Sequence, residues 1–358
     1  MSRGLQLYLD FIVFVFGAVL GSFLNVCIHR MPRGESIVSP PSSCPHCGTH
    51  IRWYHNIPLV TYLAIGGKCR YCGAKITPRY FVVELLTAIA FLVLWLRFDG
   101  WLAPIYWVLF AGFVVATFID CEHFIIPDEI TLGGIVAGVV LSLAYPPLMG
   151  KTTAAEAGIQ SLLGALCGGA VLYAVVEGGK LLFGKQKIAL EPGTQIVIAD
   201  GKVTIAPDEW LWEDLFYRAS DRITFHAVTL QFGGQNFAAV RVAISETQLW
   251  VDDQEFDLAT IGRVEATSDQ ICLPREAMGF GDVKLLAAIG AFLGWQATLF
   301  TVVFSASFGS LLGVSSIFFR RSQWQGRIPY GPHLVAAAVL WMFTGPAIVN
   351  WYLRLLGR

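Results

Sequence analysis

Long apolar runs separated by short polar connections dominate the pattern of the chain. Runs that can cross about 30 Å of hydrocarbon as helices predict membrane spans. Eight are predicted, the sixth being shorter than the rest: 7–29, 80–97, 101–119, 130–146, 157–183, 281–294, 297–319 and 333–354. The first run is too long for a signal-peptide core and lacks an Ala-x-Ala site, so we interpret it as a retained anchor. The pattern therefore predicts an all-α polytopic membrane protein.

One segment, 184–277, breaks this pattern. It alternates apolar and polar residues with period two, and the Asp200-Gly201 pair between two such runs is typical of a hairpin turn. Strand-like runs are predicted at 194–198, 202–205, 222–232, 237–244 and 248–251. With 15 acidic and 8 basic residues, the segment is interpreted as a small soluble β domain.

The chain is accordingly divided into five parts, with the soluble loop and the β domain set between membrane helices. Residues 1–29 form the first span and 30–79 a cytoplasmic loop. Residues 80–183 contain spans two to five, 184–277 is the inserted β-rich domain, and 278–358 contain the last three spans.

Orientation follows from the basic residues, which favour cytoplasmic loops. Residues 30–79 contain seven Arg or Lys residues and one acid, Glu35, while 320–332 contain three Arg and no acid. Both segments are predicted to face the cytoplasm. Counting crossings from them places both termini outside and the 120–129 turn and the β domain inside.

Composition agrees with a membrane protein and narrows the function. Of 358 residues, 55% are hydrophobic and 14% are charged, against about 25% charged in soluble domains. The formal net charge of -1 supplies no general positive field for a nucleic-acid backbone. Nucleic-acid binding is therefore excluded from the hypotheses.

Two Cys-x-x-Cys-Gly motifs lie in the 30–79 loop. Cys44, Cys47, Cys69 and Cys72 have the spacing of two zinc knuckles, which together complete a closed, structural four-sulfur site. Iron is the alternative metal, and unliganded thiols are the alternative without a metal. The nearby His46, His50 and His55 are interpreted as surface residues, because four thiolates already satisfy the ion.

Asp120 ends the predicted third span, within Ile119-Asp120-Cys121-Glu122. A carboxylate at a helix C-terminus faces the negative end of the helix dipole, which costs a few tenths to about 1 kcal/mol. Helix stability does not explain this residue. It is a candidate for chemistry, with a solvated boundary residue as the alternative.

Asp282 lies in Gly279-Phe280-Gly281-Asp282, just before an apolar run. An N-cap is its structural alternative. Crossing parity nevertheless places Asp120 and Asp282 at the same membrane face. Two carboxyls that meet there would not both ionise readily, and a pair sharing a proton is suited to peptide hydrolysis through an activated water.

Other acidic residues are weaker candidates. Asp128 follows Pro127 before an apolar run and is interpreted as an N-cap. Glu84 lies inside the second span, where a carboxylate is expected to be functional or paired, but the sequence names no partner. Motifs of serine hydrolases, zincins and P-loop proteins are absent from the sequence.

Taken together, the motifs resemble those of the type IV prepilin peptidases. The resemblance rests on Gly21-Ser22-Phe23-Leu24-Asn25-Val26-Cys27, both knuckles, Asn56-Ile57-Pro58, Arg79-Tyr80 with Glu84, Asp120 with Ile126-Pro127-Asp128, Gly279-Phe280-Gly281-Asp282-Val283-Lys284-Leu285, and Ile328-Pro329-Tyr330-Gly331-Pro332. It covers nearly the whole chain outside 184–277.

The resemblance implies an aspartyl endopeptidase of the bacterial inner membrane, with its active site facing the cytoplasm. Such enzymes cleave the basic leader of prepilins or type II secretion pseudopilins after a glycine, and bifunctional members methylate the new N-terminus with S-adenosylmethionine. By resemblance, Asp120 and Asp282 are the catalytic pair and the four cysteines bind the metal. The sequence alone identifies no methyl-donor pocket.

The inserted β domain departs from the family pattern, and its acidity suggests electrostatic steering of basic leaders, with an inert or docking domain as the alternative. Two rival functions remain open from the sequence. One is a catalytically silent assembly scaffold for pilins or secretion components. The other is a presenilin-like intramembrane protease, which shares the Gly-x-Gly-Asp motif.

Overall fold

The computed structural model describes residues 2–183, 185–206, 208–212, 215–216, 221–274, 279–318 and 329–355. The chain forms two compact units. One comprises Met1–Tyr173 and Gly279–Arg358, and the other Ala174–Met278. The basic residues predicted to mark the last cytoplasmic loop, Arg320, Arg321 and Arg327, lie outside the described residues.

Helices make up the first unit. They are α1 (Arg3–Arg30), α2 (Val60–Ala64), α3 (Arg79–Arg97), α4 (Leu102–His123), α5 (Asp128–Ala144), the start of α6 (Ala154–Phe183), α8 (Phe280–Leu293), α9 (Trp295–Phe318) and α10 (Gly331–Leu355). Each predicted span falls on one of these helices. The mainly helical character is therefore confirmed.

Four helices in the described part of the chain are long and apolar enough to cross a membrane: Arg3–Arg33, Arg79–Arg97, Leu102–His123 and Ala154–Gly179. At 17 and 14 residues, α5 and α8 are shorter than the roughly 20 residues of a full crossing. The total of eight spans therefore stays a prediction.

Apolar side chains occupy both the interior and the exterior of this unit. Leu24 and Ile28 of α1, Val83 of α3, and Val115 and Ile119 of α4 form one buried cluster. Large apolar side chains such as Phe11, Leu96 and Leu166 are exposed. Extensive exposed apolar surface on long apolar helices is expected where lipid covers the protein.

The second unit contains an eight-stranded antiparallel sheet, with the order β3-β2-β1-β8-β4-β5-β6-β7. The strands are β1 (Lys185–Ala199), β2 (Lys202–Ile205), β3 (Asp208–Leu211), β4 (Ile223–Phe232), β5 (Gln235–Ile244), β6 (Gln248–Val251), β7 (Gln254–Asp257) and β8 (Val264–Pro274). A short helix, α7 (Leu258–Ile261), precedes β8. Asp200 and Gly201 both have positive φ in the β1–β2 turn, as their hairpin interpretation requires.

Alternation along the strands explains the core of this sheet. In β4 and β8, buried apolar residues such as Ile223, Phe225, Ala266 and Ile271 alternate with more exposed ones. The sequence analysis did not predict β8, which lies between β1 and β4 and pairs with both.

In the helical unit, α5 and α8 approach each other closely at Gly138. A Cβ atom there would lie 2.7 Å from the Ala291 Cβ and 2.9 Å from the Ala291 carbonyl carbon. This approach fixes the position of α8, which carries Asp282 in its first turn.

We expect Gly138→Ala to destabilise the helical unit by about 1–3 kcal/mol, because α8 must move away to accept the methyl group. Gly133→Ala on the same helix is the matched control, since Gly133 is exposed and a Cβ there meets no heavy atom within 4 Å. Thermal unfolding in detergent measures the difference. Equal unfolding midpoints for the two variants would contradict the close contact.

Candidate functional site

The two cysteine motifs fold into hairpins of the same design. The amide of Gly48 donates to the carbonyl of Cys44 at 2.9 Å, and the amide of Gly73 donates to that of Cys69 at 2.8 Å. Gly48 and Gly73 have φ values of 67° and 74°, a left-handed conformation that glycine adopts without strain. The repeated glycine turns each hairpin back towards its first cysteine.

Four thiols meet between these hairpins. The Sγ atoms of Cys44, Cys47, Cys69 and Cys72 all lie within 4.8 Å of one another. A tetrahedral site with Zn–S bonds of about 2.3 Å separates its sulfurs by about 3.8 Å, and the Sγ atoms of Cys44 and Cys72 are 3.9 Å apart. The cluster could therefore bind a zinc ion.

Hydrogen bonds favour the thiolate form of two of these cysteines. Bonds with Thr49 lower the pKa of the Cys47 thiol to about 6. Backbone hydrogen bonds from Cys72 and Tyr71 lower the pKa of the Cys69 thiol. Because metals bind the thiolate, these two shifts favour a metal ion. Desolvation and hydrogen bonds with the other three cysteines act in the opposite direction on Cys72 and raise its pKa.

Histidine takes no part in the metal-ligand cluster identified among the described residues. His46 and His50 are exposed, and the Nδ1 of His55 lies 3.2 Å from the Tyr71 hydroxyl. These positions agree with their interpretation as surface residues.

Asp120 lies in the last turn of α4, yet it is only 6% exposed. Its Oδ2 accepts a hydrogen bond from the backbone N–H of Gly331, the first residue of α10, at 2.8 Å. The expected alternative, a solvated residue at the membrane boundary, does not fit this burial.

Asp282 lies in the first turn of α8 and is 7% exposed. The N-cap of α8 is Gly279, and no side chain caps the helix. The Asp282 Oδ1 is buried without a hydrogen-bond partner in the described part of the chain. The N-cap alternative therefore does not explain Asp282.

The two aspartates belong to one cluster. A Cβ on Gly331 would lie 2.7 Å from the Asp120 Oδ2 and 3.2 Å from Ile126, and a Cβ on Gly281, beside Asp282, would lie 3.1 Å from the same isoleucine. The carboxyl groups of Asp120 and Asp282 also interact electrostatically. Two buried carboxyls from different helices thus share one apolar environment.

Contacts between helices surround this cluster. Lys284 of α8 and Asp128 of α5 form an ion pair at 2.6 Å, and Arg79 of α3 pairs with Glu122 of α4. The interpretation of Asp128 as an N-cap was wrong: it is the first helical residue after the cap Pro127, and its carboxylate binds Lys284 instead.

Glu84 has the partner that the sequence did not name. Its Oε2 accepts a hydrogen bond from the backbone N–H of Leu59 at 2.7 Å. Leu59 has a φ of 62°, which is unusual for a branched residue. Glu84 therefore fastens the loop between the two cysteine hairpins to α3.

Sequence reasoning missed the role of Tyr330 and Gly331 in this cluster. The Tyr330 hydroxyl lies 2.6 Å from the Ser305 Oγ on α9, and Tyr330 interacts electrostatically with Asp282. A glycine between Tyr330 and Pro332 at the start of an apolar helix was the available signal.

Comparisons with known proteins find two matching family models. The bacterial peptidase A24 N-terminal domain matches residues 15–98, and the type IV leader peptidase family matches residues 107–197 and 223–314. No solved structure matches the chain significantly.

Several similar curated proteins carry the description prepilin leader peptidase/N-methyltransferase. That of Aeromonas hydrophila is 28% identical over 99% of this chain and 97% of its own length. That of Pseudomonas aeruginosa is 27% identical over 96% and 93%. The Myxococcus xanthus protein is 47% identical over a shorter stretch, 37% of this chain and 40% of its own.

We expect the purified protein to contain one zinc ion per chain, and Cys44→Ser or Cys72→Ser to lose most of it, because each removes one of four ligands. His46→Ala is the control and should keep the metal. Elemental analysis after gel filtration measures the stoichiometry. Full zinc content in both serine variants would contradict a four-sulfur site.

Proposed function

Because this chain belongs to the type IV leader peptidase family, we propose that it cleaves the leader peptide of type IV prepilins or type II secretion pseudopilins after a glycine, as a membrane aspartyl endopeptidase. Family membership confirms the resemblance drawn from the motifs. The family and the relatives' names indicate a prepilin peptidase with N-methyltransferase activity.

The observation that carries the aspartyl mechanism is the shared burial of Asp120 and Asp282. Their positions are 162 residues apart in sequence, yet both carboxyls belong to one cluster and interact electrostatically. Burying a carboxylate costs free energy unless it is paired and hydrogen-bonded, so two buried carboxyls call for a functional explanation. Peptide hydrolysis by two carboxyls gives both residues such a function.

The proposed reaction begins with one carboxyl ionised and the other protonated. The carboxylate takes a proton from water as the water oxygen attacks the scissile carbonyl carbon, and the other carboxyl protonates the carbonyl oxygen. In the second step the C–N bond breaks. The leaving nitrogen receives the proton taken from water, and a hydroxyl of the intermediate returns a proton to the second carboxyl. Both carboxyls regain their starting states.

Four apolar helices and the family together indicate an inner-membrane protein. We place the 30–79 loop and both aspartates at the cytoplasmic face, on the basis of the basic residues of that loop. The Arg79–Glu122 pair at the start of α3 and the end of α4 agrees with a position near the membrane boundary, whereas the choice of face rests on the basic residues alone.

We assign the four cysteines to structural zinc. When bound, zinc would hold the two hairpins together through four thiolates and leave no open coordination position. S-adenosylmethionine, expected from the resemblance, would supply the methyl group. Within the described residues no group of side chains identifies where it would bind, so we assign it no site.

We expect Asp120→Asn and Asp282→Asn each to abolish detectable leader removal, a loss of about 10²–10⁴-fold, because neither amide can exchange the required proton. The measurement is mass spectrometry of the N-terminus of a co-expressed pilin. The same spectrum reports the cleavage position and any added methyl group.

Glu129→Gln is the matched control, since it neutralises an exposed carboxylate at the start of α5 and should leave cleavage unchanged. All variants must also insert and unfold like the parent. Normal trimming by either aspartate variant would favour a silent scaffold or another chemistry, and cleavage only of unrelated membrane substrates would favour the presenilin-like alternative.

A further inference from the structure

The two buried carboxyls have unequal surroundings. Asp120 accepts a backbone hydrogen bond from Gly331, whereas the Asp282 Oδ1 has no hydrogen-bond partner among the described residues. A buried carboxylate needs hydrogen-bond donors to remain ionised, whereas a neutral carboxyl needs fewer hydrogen-bond donors. The structure therefore distinguishes the two aspartates, which the sequence treats alike.

The donor to Asp120 is one of the free amides at the start of a long helix. Gly331 is the first residue of α10, which extends for 25 residues, and the amides of its first turn have no acceptor within the helix. The helix dipole adds partial positive charge at the same place. Both effects favour the ionised form of Asp120.

Charged neighbours on the packed helices do not reverse this difference. Arg79 of α3 pairs with Glu122 of α4, and Lys284 of α8 pairs with Asp128 of α5. Each ion pair is locally neutral. Lys284, two residues from Asp282, is therefore engaged by another carboxylate.

Other titratable groups lie on α1, α4 and α10. His29 of α1 lies beside Arg33, and Cys121 is exposed next to Asp120. The His333 Nδ1 lies 3.0 Å from the Pro329 carbonyl oxygen, while its Nε2 has no partner in the described residues.

We propose that the backbone N–H of Gly331 is the positioning group that keeps Asp120 ionised as the base, leaving Asp282 as the proton donor. This assignment rests on the proposed proteolytic function. Asp120 then takes the proton from water, and Asp282 protonates the scissile carbonyl. Gly331 acts through Asp120 and touches no substrate.

Tyr330 anchors this positioning group. Its hydroxyl lies 2.6 Å from the Ser305 Oγ on α9, and its carbonyl accepts hydrogen bonds from the amides of His333 and Leu334. The first turn of α10 is thus held to α9 immediately before Gly331. A side chain at position 331 would collide with Asp120. Glycine therefore leaves the room that the Asp120 carboxylate needs to reach the N–H of this residue.

The test compares Gly331→Pro with Gly331→Ala in the full-length protein, using the pH dependence of kcat on a prepilin substrate. Both variants add a Cβ beside Asp120, but only proline removes the N–H, and proline is well tolerated at the first position of a helix. Gly331→Ala should be slower than the parent, and the acidic limb of its profile should move less than that of Gly331→Pro, because the alanine keeps the N–H although its Cβ crowds Asp120. Gly331→Pro should be about ten-fold slower again, with that limb at higher pH.

An acidic limb at the same pH in both variants would overturn the proposal. If Gly331→Pro is too slow to profile, Ser305→Ala and Tyr330→Phe decide, because they loosen the anchor but keep the N–H. A limb at higher pH in these variants supports the proposal, and an unmoved limb overturns it. If Asp120→Asn and Asp282→Asn are inactive but the acidic limb is unmoved in the Gly331, Ser305 and Tyr330 variants, the positioning role is refuted and the proposed proteolysis stands.

Discussion

Burial of two carboxyl groups within a helical unit is the constraint on which the rest of the structure depends. Asp120 and Asp282 are 6% and 7% exposed, and a carboxyl in such surroundings loses most of its hydration. Apolar residues at these positions would pack at lower cost. The polar contacts of the neighbouring helices are therefore understood best as the arrangement that keeps this costly pair in place.

Three of those contacts join one helix of the unit to another. Arg79–Glu122 joins α3 to α4, Lys284–Asp128 joins α8 to α5, and Tyr330–Ser305 joins α10 to α9. Each pair satisfies its own charges or hydrogen bonds, and it fixes a helix end near an aspartate. Fixed helix ends matter because a proton-transfer geometry tolerates little displacement.

Local patterns predicted the helices, much of the sheet and the cysteine cluster, and they singled out two aspartates that the structure buries. Apolar length located the helices on which the predicted spans fall, and the Asp200-Gly201 signal located a hairpin. Contacts between distant segments were not predictable in this way. The hydrogen bond from Gly331 to Asp120 links positions 211 residues apart, and the pairing of β8 depends on β1 and β4 rather than on its own alternation. Asp128 shows the converse. Its local sequence indicated an N-cap, but its carboxylate forms an ion pair with Lys284 instead.

The metal cluster and the carboxyl pair differ in chemistry. Four thiolates complete a tetrahedral site, which leaves no position at which zinc could activate water. In the proposed mechanism the carboxyl pair would need no such help, because each proton that it gives or takes is returned within one turnover. Glu84 binds the Leu59 amide in the loop between the cysteine hairpins. The loop is therefore connected to α3 by a contact that involves no cysteine. The proposed hydrolysis by the aspartates would therefore be chemically independent of a metal in the cysteine cluster, while the position of the loop depends on both the cysteine cluster and Glu84.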